Sequence, residues 1–379
     1  MKQPFNIHQL RSYFPVTENY IFFNNAAESP MHMLTKEAVD EFYHLACYAP
    51  HKKPDIRWQV KEQLAQLLGG KADEYALVTS TGIGVGIVAL GIEWQAGDNI
   101  VLPVDEHRNN LYPWLHLQDK GVEIRFVPVA ENGFIKLSDF DKLIDDQTKL
   151  VAVAGVRFNS GFRLPLKAIS NLAHEHKALF LVDAIQAAGQ VPLNVEEMNI
   201  DILCSAGFKW LLGLPGTGFL YIKKDVQPFI KPAMPGMFAA SHADQVLNFH
   251  RDARQYETGS IAYSQFYGWL KGLELLNHLG IHNIHQRILG LTDLIIKGLE
   301  LRNISILTPV DETEHRSGIL FCSLGSEDKN QFFLEALEKE NIIIALRDNK
   351  CRISPSFYNT EEEIHKFFNI LDKILASIQ

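Results

Sequence analysis

The sequence predicts an α/β fold, with a mostly parallel central sheet in a large domain and a smaller α/β domain at the C-terminus. Three observations carry this. Short apolar runs at 75–79, 99–103, 122–129, 150–156, 179–182 and 200–203 alternate with polar, helix-like stretches. That β-α-β recurrence builds parallel sheets covered on both faces. The run at 179–182 stops abruptly on Asp183, and the run at 200–203 leads to a single lysine, Lys209; in open α/β sheets ligands sit at that carboxyl edge. Beyond residue 300, further strand-like runs and two helical stretches form a second unit, and 379 residues suffice for two domains. The division read from the chain is 1–20 as an N-terminal segment packing near the small domain, 21–262 as the large domain and 263–379 as the small one.

Composition narrows the function classes. A hydrophobic share of 46% and a charged share of 21% describe an ordinary globular chain. The formal charge of −9 counts against non-specific nucleic-acid binding, which needs a basic footprint. No apolar run reaches the length of a membrane span, and MKQPFNIHQLRSYFPV has no hydrophobic stretch of signal-peptide type. The expectation is a cytoplasmic protein with neither nucleic-acid nor membrane partner. Cys47, Cys204, Cys322 and Cys351 show no C-x-x-C spacing, which suggests neither zinc nor a disulfide framework. His174 and His176, two apart on a probable helix, do not share a face. No metal is expected.

Taken in order, 1–20 reads as a short helix and a connecting segment, and 20–23 as a short strand stopping at Asn24-Asn25-Ala26-Ala27. NNAAESP itself reads as a turn and a helix start. Helical periodicity covers 34–69. After the strand at 75–79 comes Ser80-Thr81-Gly82-Ile83-Gly84-Val85-Gly86 and an apolar helix. A glycine-rich turn at a helix N-terminus offers free N–H groups and the positive dipole end to a phosphate. Gly84 to Ala89 also fits G-x-G-x-x-A, the dinucleotide pattern, although its glycines fall inside the helix and no clear ribose-binding acid closes the unit. Glycines placed only for helix packing are a third reading.

The strand at 99–103 leads to Glu106-His107-Arg108-Asn109-Asn110, with Pro113-Trp114 following. A lone histidine in a loop is usually surface decoration. The strand at 150–156 ends at Arg157-Phe158-Asn159-Ser160-Gly161, where Arg157 is a candidate for a substrate carboxylate. Lys209 lies between Phe208 and Trp210, unusual because lysine is almost never fully buried unpaired. Alone it reads equally as a surface lysine whose stem covers the aromatics, and Asp183 alone reads as a helix cap. Together they have a shared use. Pyridoxal phosphate needs an amine for its Schiff base and a carboxylate against its pyridine nitrogen, and a desolvated lysine suits that role.

Residues 231–252 turn to Met, Gly, His and Ala with little periodicity and read as a cleft-lining loop. A long helical stretch, 262–300, contains the change of domain. Strands near 304–307, 318–322 and 342–345, a helix at 328–339 and a closing helix from 361 complete the small unit. Arg352 sits on a strand, where a planar guanidinium can clamp an α-carboxylate; an exposed structural arginine is the alternative.

The stretch VDAIQAAGQVPLNVEEMNIDILCSAGFKWLLGLPGTGFLYI resembles the core signature of the class V aminotransferases, which include cysteine desulfurases, selenocysteine lyases, kynureninases and isopenicillin N epimerases. The resemblance covers nearly the whole chain and implies a fold-type I pyridoxal-phosphate enzyme. It implies Lys209 as the Schiff-base lysine and Asp183 as the partner of the ring nitrogen. In the desulfurases an E-H-x-x-N-x-x-P-W stretch, matched here letter for letter, puts its histidine on the ring face, which implies that role for His107. Thr81, Gly82 and Ile83 match the cofactor-phosphate turn, Gln186 matches a residue that bonds the phenolic oxygen, and Asn25 matches a residue lining the substrate cleft. Tyr256-Glu257-Thr258-Gly259-Ser260 is similar to an E-x-G-T segment that reaches the neighbouring subunit's phosphate. From Gly259 and Ser260 follows the expectation of a homodimer with its active site at the interface. R-x-S…Y-N-T-x-E-E-I carries the carboxylate arginine, here Arg352.

The departures are specific. Desulfurase S-G-H-K is Ala206-Gly207-Phe208-Lys209 here, which removes the phosphate serine and the histidine beside the lysine; Ser205 is expected to compensate. The Lys-Trp pairing is closer to kynureninase-like branches. Counting back from Gly161 puts Phe158 where the family carries an asparagine, and Asn159 lies one position away, leaving open a shifted loop or a missing contact. Desulfurases hold a persulfide cysteine on a loop between two arginines. Here only Asp348 to Cys351 separate Arg347 from Arg352, and Cys351 reads as a packing residue.

The resemblance thus implies an enzyme acting on a small amino acid through Lys209, as a class V aminotransferase or a cysteine/selenocysteine lyase-like enzyme. Transamination, elimination and epimerisation all follow from Cα deprotonation, and the residues do not choose among them. Two rivals remain: a pyridoxal-phosphate-binding protein without turnover, suggested by Phe158, Ala206 and Phe208, and a nicotinamide oxidoreductase, suggested by G-x-G-x-x-A.

Overall fold

The computed structural model describes residues 6–243 and 246–378. The large domain is built on a seven-stranded sheet: β1 (Tyr75–Val78), β2 (Asn99–Pro103), β3 (Glu123–Val127), β4 (Thr148–Ala154), β5 (Leu179–Asp183), β6 (Ile202–Ala206) and β7 (Gly218–Ile222). Their order is β1-β7-β6-β5-β4-β2-β3, and every pairing is parallel except the two made by β7. Apolar side chains leave both faces of these strands, β3 excepted, which is only partly buried. Leu203, Phe219 and Val182 enter one core, and Cys204, Leu220 and Leu181 enter the other. A strand buried on both faces reads as a continuous apolar run, which is why β1, β2 and β4 to β6 were legible in the sequence.

Because β1 and β6 both run antiparallel to β7, β1 points the same way as β2 to β6. The carboxyl ends of six strands therefore meet at one edge, and β7 starts there. Thr81, His107, Asp183 and Lys209 all follow strand ends on that edge or sit at one.

The small domain carries β8 (Ser305–Ile306), β9 (Leu320–Ser323), β10 (Ala345–Arg347) and β11 (Lys350–Ile353), antiparallel in the order β8-β9-β11-β10. Glu327–Lys339 and Glu361–Ile378 are its helices. Ile21–Phe22 pairs in parallel with Ile342–Ile343, and Arg11 donates to the carbonyl of Tyr358 (3.0 Å) and ion-pairs with Glu363 (2.8 Å).

Three elements differ from the sequence reading. The helical stretch at 34–69 is two helices, Met33–Tyr48 and Arg57–Leu68, and that at 262–300 is Tyr263–Leu279 and Ile281–Glu300. Gly280 breaks the latter with φ +78°, a left-handed conformation open to glycine. Tyr263–Leu279 packs across both earlier helices. Within 231–252 a two-stranded ribbon pairs Ala240–Ala243 with Val246–Phe249. Val246 to Phe249 are exposed throughout, so no alternation of buried and exposed residues marked this ribbon in the sequence. No helix of the described residues is long and apolar enough to cross a membrane.

Candidate active site

Lys209 is presented by the loop between β6 and β7, which closes on itself. The N–H of Gly207 donates to the carbonyl of Thr217, and that of Gly213 to the carbonyl of Gly207, each at 2.8 Å. A Cβ on Gly207 would lie 2.5 Å from Thr217 Oγ1 and 2.8 Å from Trp269 Cε2, so only glycine fits. The flanking aromatics are anchored separately. Trp210 Nε1 donates to Gln186 Oε1 (2.8 Å), and the carbonyl of Phe208 accepts from Ser29 N (3.0 Å). Lys209 Nζ lies 5.8 Å from the centroid of the Phe208 ring and has no hydrogen-bond partner among the described residues. Burial, helped by the charge of Arg352, lowers its pKa to about 8 against the opposing pull of Asp183.

Asp183 ends β5 at 1% exposure. Its Oδ1 accepts from Ile185 N (2.9 Å), the local bond of a capping residue. Burial nevertheless pushes its carboxyl up to about 7, because one hydrogen bond does not replace the lost hydration.

His107 is held by a frame that accounts for most of its sequence motif. Buried Glu106 accepts from Ala154 N (3.0 Å) and Asn110 Nδ2 (3.3 Å), and Asn110 Oδ1 accepts from Trp114 Nε1 (3.2 Å). The turn is thereby tied to β4, and His107 projects half-buried from it. His107 Nδ1 accepts from Asn109 N (3.2 Å). Burial, then the charges of Lys209 and Arg108, lower the imidazole's pKa. Phe158 meets the imidazole edge-on at 5.2 Å. Asn159 Nδ2 donates to Asp105 Oδ2 (2.6 Å), and its buried Oδ1 has no partner among the described residues.

Arg157, the sequence's candidate for a substrate carboxylate, lies beside the chain's own acids. It is 1% exposed and ion-pairs with Asp105 and, at 3.5 Å, with Glu106. Asp105 and Glu106 tie it to the His107 loop, while its buried Nε and Nη1 have no hydrogen-bond partner among the described residues.

The helix Thr81–Gly91 starts at the edge beside β6. Ser80 Oγ caps it by accepting from Ile83 N (3.3 Å), and Thr81 Oγ1 accepts from Ala206 N (2.9 Å). The N–H groups of Thr81 and Gly82 have no acceptor among the described residues, leaving the two donors and the dipole that an anion needs. Gly84 and Gly86 lie inside this helix, and a Cβ on Gly84 would meet Cys204 Sγ at 3.1 Å. Gly84 thus serves helix packing, and both glycines lie away from the strand-to-helix turn where the dinucleotide pattern places its glycines.

Ser205 does not stand in for the missing serine. It is paired with Phe219, and strand alternation puts both on the sheet face opposite the Thr81–Gly91 helix. Its hydroxyl donates to the carbonyl of Ala206 (2.8 Å). Gln186 donates to the carbonyl of Ala26 (3.0 Å) and accepts from Trp210, leaving one amide hydrogen. Asn25 is also engaged, to the carbonyl of Ser354 (3.0 Å) and by Tyr358 Oη (2.7 Å). Its neighbour Asn24, which the sequence did not single out, accepts from Arg352 Nη2 (3.2 Å).

Arg352, on β11, is 3% exposed and has no carboxylate against it among the described residues. Its Nε is buried without a partner, and burial lowers its pKa to about 10. Cys351 points the other way, fully buried opposite Cys322. In the sequence's Tyr256–Ser260 segment, buried Glu257 pairs with Lys61 (2.5 Å) and accepts from Leu77 N (3.2 Å). Gly259 is half-buried and Ser260 is exposed.

The Aminotransferase class-V family model matches residues 21–367. A probable cysteine desulfurase of Methanothermobacter thermautotrophicus is 26% identical over 96% of this chain and 97% of its own length. The cysteine desulfurase of Shigella sonnei is 26% identical over 98% of each. Among solved structures, the apo cysteine desulfurase of Thermococcus onnurineus NA1 superposes with a TM-score of 0.90 at 23% identity, covering 100% of this chain and 99% of its own. The cystine C–S lyase C-DES, solved with its product cysteine persulfide, gives 0.86 at 23% identity over 95% and 99%. A family match spanning the large sheet, the Lys209 loop and the Arg352 strand together shows that this chain belongs to the class V aminotransferase family.

Proposed function

We propose that this chain is a pyridoxal-phosphate enzyme acting on an amino acid, as a class V aminotransferase or a C–S or C–Se lyase. Arg352 carries the proposal. A buried guanidinium without a counter-ion is costly, and a substrate α-carboxylate answers it with paired, charge-assisted hydrogen bonds. That the C-DES structure holds a C–S lyase with its product supports the lyase branch.

The residues fit the cofactor. The free N–H groups of Thr81 and Gly82, with Ile83 completing the first helical turn, suit its phosphate. Asp183, buried and pushed up to about 7, suits a ring nitrogen whose proton it would hold. His107 would cover the ring, and the remaining amide hydrogen of Gln186 would serve the phenolic oxygen. When bound, pyridoxal phosphate supplies an electron sink that stabilises negative charge at the substrate Cα.

The chain's own groups do the rest. Lys209, with its ammonium form disfavoured, has a share of free amine near neutral pH and can take a proton from Cα or return one. Asn24 supports Arg352, which fixes the carboxylate. His107, neutral at neutral pH, can accept a proton beside Lys209. Cys351 is buried in the small domain, which favours direct elimination or transamination over transfer through a persulfide on that residue. The reading extends to a homodimer in which Gly259 and Ser260 reach the partner's phosphate. The exposed apolar side chains of Met237, Val246 and Leu247 on the adjacent segment support it.

A panel of amino acids assayed for ammonia, pyruvate or keto-acid release tests the proposal. Release with at least one amino acid, lost in Lys209→Ala, is the expected result. A cofactor-loaded protein that turns over none of them contradicts it and favours the reading without turnover.

A further inference from the structure

The face of the small sheet that meets the large domain carries more positive charge than one α-carboxylate requires. Directly opposed residues of an antiparallel pair point to the same side. Here Ala345 opposes Arg352, Leu346 opposes Cys351 and Arg347 opposes Lys350. Arg347, Lys350 and Arg352 therefore share one face. Leu346 and Cys351 take the other, against the small domain's apolar core. Phe321 opposes Arg352 from β9 and packs into the large domain's core, which shows where the charged face looks.

The turn fixes this arrangement. Asp348 and Asn349 have φ of 49° and 60°, the left-handed pair of a two-residue I′ hairpin. A register slip of one residue would put Arg347 and Arg352 on opposite faces. Arg347 is exposed and has no ion-pair partner among the described residues. It lies close enough to Lys209 and Arg352 for its charge to lower the pKa of both.

We propose that Arg347 binds a second anionic group, so that the substrate is an amino acid with an acidic side chain. Arg352 takes the α-carboxylate and Arg347 the distal carboxylate. This rests on the reading of Arg352 given above. A second unpaired guanidinium on the same face has no use for a neutral side chain. Its exposed position lets water solvate it until the ligand arrives.

The test uses the cofactor-loaded enzyme. Apparent dissociation constants for L-aspartate, L-glutamate and L-alanine are read from the change in visible absorbance, in wild type, R347Q, R347K and R352Q. Wild type is expected to bind an acidic amino acid about tenfold or more tightly than alanine, with R347Q lowering that ratio about tenfold and R347K keeping part of it. A ratio is insensitive to a general loss of structure. A wild-type ratio near one, or a ratio that survives R347Q, overturns the proposal. R352Q separates this inference from the reading beneath it. If Arg352 holds the α-carboxylate, R352Q weakens all three ligands together. An R352Q that leaves alanine unaffected refutes that reading, while the wild-type and R347Q ratios still decide Arg347.

Discussion

Arg352 and Asn24 are joined by one hydrogen bond, Nη2 to Oδ1 at 3.2 Å, across the junction where the N-terminal segment crosses the small sheet. The bridge between Asn24 and Ser354 and the pairing of Ile21–Phe22 with Ile342–Ile343 hold that junction. A guanidinium with one neutral partner and, among the described residues, no carboxylate is held in place and left unsatisfied, ready for an anion.

Arg352→Gln is therefore expected to raise KM for amino-acid substrates by about 2 to 4 kcal/mol, roughly 30- to 1,000-fold, the usual loss for one partner of a buried charged pair. Asn24→Ala removes only a supporting bond and should cost about 1 kcal/mol, roughly fivefold. Steady-state kinetics with both variants checks the ranking. Equal effects would count against Arg352 as the direct ligand.

The cofactor-free protein should show two pH signatures in chemical denaturation. Lys209 has its folded pKa lowered to about 8, so the unfolded chain binds more protons above that pH, and stability from this group rises between about pH 8 and 10. Asp183 has its folded pKa raised to about 7, so its contribution, complete below pH 4, is lost as pH rises through 7. Lys209→Met should flatten the alkaline rise and Asp183→Asn the acidic-to-neutral fall. Asp183→Asn should also make the apo protein more stable near neutrality while weakening cofactor retention.

Gly207→Ala places a methyl group against Trp269 and Thr217 in the loop that presents Lys209. Overpacking of this kind costs about 1 to 3 kcal/mol. Lower denaturation midpoints and a lower cofactor content in the purified variant are expected. Unchanged stability would mean that the loop can move off the indole.

Cys351→Ala should leave turnover near wild type and cost about 1 kcal/mol of stability, as a small buried truncation does. Alkylation of the native protein should modify Cys47, which is exposed, ahead of Cys204, Cys322 and Cys351, which are buried. Loss of turnover in Cys351→Ala with stability intact would restore the persulfide route.

The fold was legible where burial on two faces leaves a continuous apolar run, as in β4 to β6. It was illegible where neither face is buried, as in the ribbon at Val246–Phe249. Lys209 and Asp183 could be chosen because two residues with a shared chemistry each followed an apolar run. The partners of side chains could not be read. Ser205 differs from Ala206 by one position, and only the pairing with Phe219 shows that it faces away from the phosphate turn. The ion pairs of Arg157 could not be read because Asp105 and Glu106 lie some fifty residues earlier. Asn24 and Asn25 are chemically identical in the sequence, and only the contacts to Arg352 and Tyr358 distinguish them.

The most direct test of the central claim is a visible absorbance scan of the purified protein, before and after borohydride, beside Lys209→Ala. The account predicts a yellow protein whose band borohydride bleaches, and a variant that forms no such reducible band. A wild-type protein that stays colourless after addition of pyridoxal phosphate would contradict it.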